Sequence, residues 1–186
     1  MPTPRIYTGT LAPPLFTVPA PSATSVNLLY VTDRTPVTRA DGSLSYGSDR
    51  SRSMAFGSVI VEIGERVPWP TLAEQSKEDP RKLPLELHLG AATELGRFPT
   101  IPYDVDAVQG GITRSPAVVD KHEQAAAALQ EEVARRIAVS PRKDLVLFVH
   151  GYANTFQDAA FSMADLCHFL GIRPRLLMKM PETYGQ

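Results

Sequence analysis

A histidine and a glycine follow the most hydrophobic short run of the chain. Residues 145–149 read LVLFV, and His150, Gly151, Tyr152 and Asn154 come directly after. Backbone N–H groups fixed in a tight turn can stabilise a negative charge, and glycine lets a backbone approach a charged group closely. The pattern therefore predicts a charge-stabilising turn at His150-Gly151, and a strand that ends in an ordinary glycine turn is the simpler alternative.

Other reactive side chains give weaker signals. Cys167 falls on the apolar stripe of a predicted helix and is interpreted as an inert buried thiol. His168 beside it is interpreted as a surface residue. His88 and His122 have no ligand spacing to another histidine or cysteine, so neither a metal nor a cofactor is predicted.

Charged residues cluster in the first third of the chain. Asp33, Arg34, Asp49, Arg50 and Arg52 could form an anion-binding cluster near an active site. Ion pairs between loops are the more common role of such residues, and we favour that interpretation.

Length and composition exclude several classes of protein. The chain has 186 residues, 43% of them hydrophobic and 21% charged, which is ordinary for one globular domain with a sizeable core. A net charge of −1 favours neither nucleic acid nor an anionic membrane surface as a partner. No run approaches the roughly 18 apolar residues that a membrane span requires. The single cysteine excludes an intrachain disulfide and leaves the redox compartment open.

The first 26 residues differ from the rest. Prolines at positions 13, 14, 19 and 21 predict an extended Pro-rich arm over 1–26, followed by a domain over 27–186. The arm lacks the basic start and apolar core of a signal peptide. The default expectation is a cytoplasmic protein, and the sequence leaves open whether a longer form is exported.

Hydrophobic patterns predict the elements that must position the turn. Strands are expected at 27–32, 57–63, 84–90, 145–149 and 175–180. The strand at 145–149 is apolar on both faces, so it is expected to be covered by helices on each side. The polar segment 33–53 is expected to contain turns, and 100–116 to be irregular with a flexible point at 110–111.

Two helices are predicted. Ser115 and Pro116 are a good helix start, and apolar residues repeat at helical spacing as far as about Val139. The second helix is capped by Asn154 or Thr155 and ends at 171. Its buried stripe comprises Phe156, Ala160, Met163, Cys167 and Leu170. Strand, helix and strand in the final third imply a right-handed parallel crossover, so the fold class is α/β.

Several segments together resemble a known family. They are LLYVTDR at 28–34, YGSDRS at 46–51, GSVIVEI at 57–63, FVHGYANTF at 148–156 and LLMKMP at 176–181. They resemble a bacterial branch of the α/β-hydrolases that is catalogued mainly as a domain of unknown function. Relatives usually have a tryptophan where this chain has Met180. The resemblance covers about residues 27–181.

The resemblance implies an esterase- or lipase-like fold and site. Its sheet would begin with antiparallel or mixed strands and continue with a parallel β-α-β crossover. Gly151 and Tyr152 would donate backbone N–H groups to the oxygen that becomes negative during acyl transfer, in an oxyanion turn supported by His150 and Asn154. A small ester or acyl compound would be the substrate of the complete family. Such enzymes carry their nucleophile in Gly-x-Ser-x-Gly, followed by an acid and then a histidine. No serine of this chain lies in that pattern.

The missing pattern leaves three hypotheses open. The chain could be the front part of a hydrolase domain that is inactive alone, a non-catalytic binding or scaffolding piece, or one half of a split enzyme. The nucleophile strand would normally lie beside strand 145–149, so we also expect this strand to have an open edge that permits self-association.

Overall fold

The computed structural model describes residues 24–64, 67–68, 70–71, 85–140, 145–151, 153–170 and 176–179, with backbone only for 168–170 and 176–179. Its strands are β1 (Ser25–Thr38), β2 (Leu44–Ile63), β3 (Leu87–Arg97), β4 (Val105–Val108), β5 (Gly111–Arg114), β6 (Val146–Val149) and β7 (Leu176–Lys179). The helices are α1 (Pro116–Ala138) and α2 (Phe156–Leu170). The predicted arm over 1–26 lies almost wholly outside the described residues, and so do the predicted helix end at Gly171 and the Met180 position.

Five strands form one mixed sheet in the order β3-β2-β1-β7-β6. β1, β2 and β3 pair antiparallel, whereas β7 pairs in parallel with both β1 and β6. With two helices packed on it, this mixed sheet is an α/β fold, as predicted. Because β1, β3, β6 and β7 run in the same direction, their carboxyl ends meet at one end of the sheet.

The polar segment 33–53 contains a turn, as predicted, but most of it forms strands. β1 and β2 continue as a long hairpin whose pairing runs through Arg34 with Arg50 to Thr38 with Leu44. Only the tip turns, at Gly42, with a φ of 80°. The segment lacks the alternation of apolar and polar residues that marks a half-buried strand, because much of it extends past the core, where both faces of the strands are exposed to solvent.

The segment 100–116 is not wholly irregular either. β4 and β5 form a small separate hairpin, and Gly110, with a φ of 97°, lies in its turn. All eight strand residues are exposed, so no apolar face marks these strands in the sequence.

Helix α2 covers one face of the sheet. Its residues Phe156, Ala160, Met163 and Cys167 are at most 1% exposed and pack against Leu28, Tyr30, Val59 and Val61 of the sheet. The predicted stripe is thereby confirmed, except for Leu170, whose side chain is not described.

Helix α1 packs on the opposite face. Ala125 joins Val31 and Phe56 in a smaller core, with Phe98 and Leu129 at its border. The helix ends at Val139 as predicted. Ser115 is its N-cap and Pro116 its first residue, as predicted, and the capping bonds are made by the main-chain carbonyl of Ser115 and not by its hydroxyl.

Strand β6 is not covered on both faces, contrary to the expectation. Val146 and Phe148 pack against the core beneath α2. Leu145, Leu147 and Val149 are 42%, 53% and 50% exposed, because α1 lies over β1, β2 and β3 and does not reach this edge of the sheet.

Candidate oxyanion turn

The turn predicted at 150–154 lies at the carboxyl end of β6. It begins one residue after Val149, which pairs with Lys179 of β7, and Lys179 in turn pairs with Val31 of β1. The turn therefore lies at the carboxyl ends of the parallel strands β6 and β7, level with the middle of β1, which continues to Thr38. Ligands of open α/β sheets bind in this position.

His150 is folded into its own turn. It is 4% exposed, and its Nδ1 lies 2.8 Å from the carbonyl oxygen of Gly151. A carbonyl oxygen only accepts, so Nδ1 carries the proton and donates. The other ring nitrogen, Nε2, is buried and has no hydrogen-bond partner among the described residues. In this geometry the ring fixes the direction of the Gly151 carbonyl.

Gly151 faces open space. It is exposed, and a Cβ built on it would meet nothing within 4 Å in the described part of the chain. Its φ is not in the left-handed region. Neither internal packing nor backbone conformation therefore requires glycine here. Its N–H, like that of Ala153, makes no hydrogen bond to another described residue. Tyr152, the second predicted donor, lies outside the described residues.

The second half of the turn is held from β1. Ala153 has a φ of 66°, a left-handed conformation that costs a residue with a Cβ about 1 kcal/mol and must be maintained by its surroundings. Arg34 supplies that support by donating from Nη2 to the carbonyl oxygen of Asn154 at 2.6 Å and from Nη1 to that of Gly47 at 2.9 Å. Asn154 thus contributes its main chain to this link.

Helix α2 begins with a reciprocal cap. The Thr155 hydroxyl accepts from the Asp158 N–H at 3.1 Å, and Asp158 Oδ2 accepts from the Thr155 N–H at 2.9 Å. The Thr155 hydroxyl also donates to Asp158 Oδ2 at 2.7 Å. These bonds, first that of the hydroxyl, hold the pKa of Asp158 below its usual value. Of the two predicted caps, Thr155 is the residue used.

A buried aromatic and polar cluster lies under the first turn of α2. The rings of Tyr30, Tyr46 and Phe156 are 5.1–5.3 Å apart. The Tyr46 hydroxyl donates to Glu94 at 2.8 Å and therefore accepts from Tyr30 at 3.0 Å. Arg97 donates twice to Glu94, at 2.8 and 2.6 Å.

The ionisation of this cluster follows from its burial. Burial raises the pKa of Tyr30 to about 12 and raises that of Tyr46, so both hydroxyls stay protonated. Burial also opposes ionisation of Glu94, but the hydrogen bonds from Arg97 and Tyr46 outweigh it and hold the pKa of Glu94 below its usual value. The cluster thus consists of two neutral tyrosines and one ion pair, and it supports the start of α2 from below.

The remaining predicted candidates do not join the turn. Cys167 is 1% exposed, and burial raises the pKa of its thiol to about 12, which agrees with an inert thiol. Arg50 pairs with Asp33 at 3.3 Å, as the ion-pair interpretation predicts. The side chain of His168 is not described. Among the described residues, no group of three or more His, Cys, Asp and Glu could hold a metal ion.

Sequence reasoning missed the role of Arg34. The residue was singled out only as one member of a charged cluster. Its contact with Asn154 spans 120 positions of the chain, and no local pattern reports such a pairing.

The fold and the turn define an α/β protein with a glycine turn at the carboxyl ends of parallel strands. A family model described as an alpha/beta hydrolase of unknown function (DUF900) matches residues 125–179, which run from the middle of α1 to the end of β7. This match confirms the resemblance over that segment, which includes the turn. No curated protein and no solved structure matches the chain. None of the helices in the described part of the chain is long and apolar enough to cross a membrane.

Proposed function

We propose that this chain is the front part of an α/β-hydrolase-type acyl hydrolase, in which the turn at 150–154 binds the oxyanion of an ester or acyl substrate. The observation that carries the proposal is the position of the turn at the carboxyl ends of parallel strands, with Gly151 open and its N–H without a partner among the described residues. His150 and Arg34 hold the turn from either side.

In this mechanism the turn acts through fixed dipoles. The N–H groups of Gly151 and Tyr152 would donate to the oxygen that becomes negative in the tetrahedral intermediate, and removal of one such donor typically costs a hydrolase roughly 100-fold or more in kcat. In this proposal the nucleophile, acid and base are supplied by another segment or chain, since no serine of these 186 residues lies in a Gly-x-Ser-x-Gly.

A first experiment tests the turn without requiring catalysis. Methyl phenylphosphonate carries the charge and shape of a tetrahedral acyl intermediate, and its binding can be followed by ¹⁵N–¹H correlation spectra. We expect the amides of the two proposed donors, Gly151 and Tyr152, to shift, whereas that of Gly111, another glycine whose Cβ position is open, should not. A shift of Gly111 equal to that of Gly151 would mean non-specific binding and refute the turn as an anion site.

A matched variant sharpens the experiment. Gly151→Ala adds a methyl group to open space, so the fold should be retained while the space for the oxygen is reduced. We expect phosphonate binding to weaken about tenfold, or roughly 1.4 kcal/mol, without a change in melting temperature. Unchanged binding would show that the ligand does not approach Gly151.

A second experiment tests for chemistry within the chain. The isolated chain should not be labelled by a fluorophosphonate probe, because each of its serines lacks the strand-to-helix elbow that activates a nucleophile. Serine-directed labelling would overturn the assignment of the nucleophile to another segment. The DNA downstream of codon 186 distinguishes the forms of the proposal, since a Gly-x-Ser-x-Gly encoded there would supply the missing elbow.

A second candidate is a non-catalytic binding or scaffolding role through β6. Among the described strands, β6 has a neighbour on one side only, and its residues Leu147 and Val149 are exposed, as is Leu145 just before it. An open apolar strand edge favours pairing with another chain. In this case Leu147→Lys should shift the chain towards monomer in sedimentation velocity, whereas Leu166→Lys, an exposed leucine on α2, should not. A wild-type monomer at high concentration would refute this role.

A further inference from the structure

A cavity of about 710 Å³ lies on the α1 face of the sheet, at the carboxyl end of β3. That is the same end of the sheet as the 150–154 turn but the opposite edge. Four strand spacings of about 4.8 Å, or roughly 19 Å, separate the two places. The cavity is therefore distinct from the proposed oxyanion turn, and its volume is in the range of small-molecule sites.

One wall of the cavity is built by the segment that follows β3. Phe98 donates its N–H to Met54 at 2.8 Å and accepts from the buried Ser53 hydroxyl. Ile101 and Arg52 are joined twice, by the Ile101 N–H to the Arg52 carbonyl at 2.8 Å and by Arg52 Nε to the Ile101 carbonyl at 2.7 Å. These bonds are internal to the protein and fix the wall, so little ordering is required on binding.

The opposite wall is the inner side of α1. Ala125 and Ala128 face the cavity there, and their small side chains leave the space that larger residues would fill. Phe98, half-buried, provides an aromatic surface between Phe56 and His122, with ring centroids at 6.0 and 5.2 Å. The interior is thus mainly apolar.

The charged groups at the cavity give it a positive character. Arg52 Nε donates to the Ile101 carbonyl in the cavity wall, and the two terminal nitrogens of Arg52 have no partner among the described residues. Lys121 likewise has no ion pair with a described residue. Arg97 is already neutralised by Glu94 at 2.6 Å, and Asp104 is the acidic residue of the lining. Two available cations against one carboxylate leave an excess of one positive charge.

We propose that this cavity binds a small amphipathic organic anion, with a carboxylate or phosphate head paired with Arg52 and Lys121 and an aliphatic or aromatic body against Phe98 and the two alanines. The proposal does not depend on the function of the 150–154 turn. It rests on a preformed, mainly apolar space bordered by unpaired cations, which is the common design of sites for such ligands.

The test uses three probes with the same eight-carbon body. Octanoate, octyl phosphate and octan-1-ol are titrated into the chain, and the ¹³C methyl signals of the alanines are followed. We expect the Ala125 and Ala128 methyl groups to shift with both anions and the methyl group of Ala127, on the outer side of α1, to stay. The anion that binds more tightly identifies the head group.

Variants test the binding of the ligand's charged head and of its apolar body separately. Lys121→Gln removes one charge without breaking a bond to a described residue and should weaken anion binding about 2- to 5-fold, which is the typical contribution of an exposed ion pair. Ala128→Trp should abolish binding by filling the space. Ala127→Trp, one position along the same helix, should not. Circular dichroism confirms that each variant is folded.

Three results would overturn the proposal. Octan-1-ol binding as tightly as octanoate would show that the cations do not contribute. Equal effects of Ala127→Trp and Ala128→Trp would place the ligand elsewhere. An absence of methyl shifts with either anion at about 10 mM would exclude a site of even millimolar affinity.

Discussion

The Glu132 carboxylate is the most informative single group for testing how the helix is attached to the sheet. It accepts from Arg136 Nε at 2.6 Å and from two nitrogens of Arg135, each at 2.7 Å. Arg136, only 5% exposed, also donates to the Asn27 carbonyl at 3.0 Å and to its side chain at 2.9 Å. Glu132 thereby neutralises the buried cation that joins α1 to β1. We predict that Glu132→Gln destabilises the fold.

The magnitude follows from the pKa of Glu132. The hydrogen bond from Arg135, and after it that from Arg136, lower the pKa from 4.5 to about 2 although burial opposes the shift. A shift of this size corresponds to at most about 3 kcal/mol. The Arg135 side chain is 61% exposed, so solvent screens its share, and about 1–2 kcal/mol remains as the expected loss at pH 7.

The contribution of Glu132 to the free energy of unfolding depends on pH in a direction that follows from its lowered pKa. The pKa is lower in the folded than in the unfolded chain, so the contribution is fully present above about pH 4.5 and is lost as the pH falls towards 2. Urea unfolding of wild type and Glu132→Gln, followed by circular dichroism, should show a gap in unfolding free energy that narrows markedly between pH 7 and pH 3. Glu131→Gln, its exposed neighbour, is the control and should leave stability nearly unchanged. A gap of the same size at both pH values would refute the reasoning.

Four further predictions concern the core and the cap. Tyr46→Phe leaves the buried Tyr30 hydroxyl without its partner and should cost about 1–3 kcal/mol in chemical unfolding, more than Tyr103→Phe at a half-buried position. Gly57→Ala would place a Cβ against the Thr93 carbonyl oxygen and 2.5 Å from the Tyr30 hydroxyl, so its melting temperature should fall well below that of Gly111→Ala. Thr155→Ala removes the cap of α2 and should cost about 1 kcal/mol by urea unfolding, whereas an equal loss in Ser115→Ala, whose hydroxyl does not cap, would contradict that account. Cys167 should react with Ellman's reagent only at the rate of unfolding, and rapid native-state labelling would show that its thiol is not buried.

The helices and the central strands could be predicted because their residues alternate between core and solvent with a regular period. In α2 the residues Phe156, Ala160, Met163 and Cys167 repeat at helical spacing, and all are buried. The hairpin of β4 and β5 could not be predicted in this way. Val105 and Ile112 are 55% and 74% exposed, so the pairing is carried by main-chain hydrogen bonds, which any sequence can make.

The candidate site could be predicted in part. The motif around His150 and Gly151 marked the end of a strand correctly, because a long apolar run followed by glycine is a local signal. The support from Arg34 and the cavity beside Arg52 are products of tertiary structure, since each brings together residues far apart in the chain. Charged residues carry no periodic signal that distinguishes such roles from surface ion pairs.

The bonds that hold the turn leave the N–H of Gly151 without a partner among the described residues. The His150 ring on one side and Arg34 on the other set the direction of the turn's backbone. The Thr155 cap sets the point at which the chain enters α2. None of these bonds uses the N–H of Gly151, and no described residue occupies the space beside it. If the shape of the turn depended on a hydrogen bond from the Gly151 N–H, that N–H would already be used within the protein and could not donate to a ligand. Here the supporting bonds go to carbonyl oxygens or to the next helix, and such preorganisation is what an oxyanion turn requires.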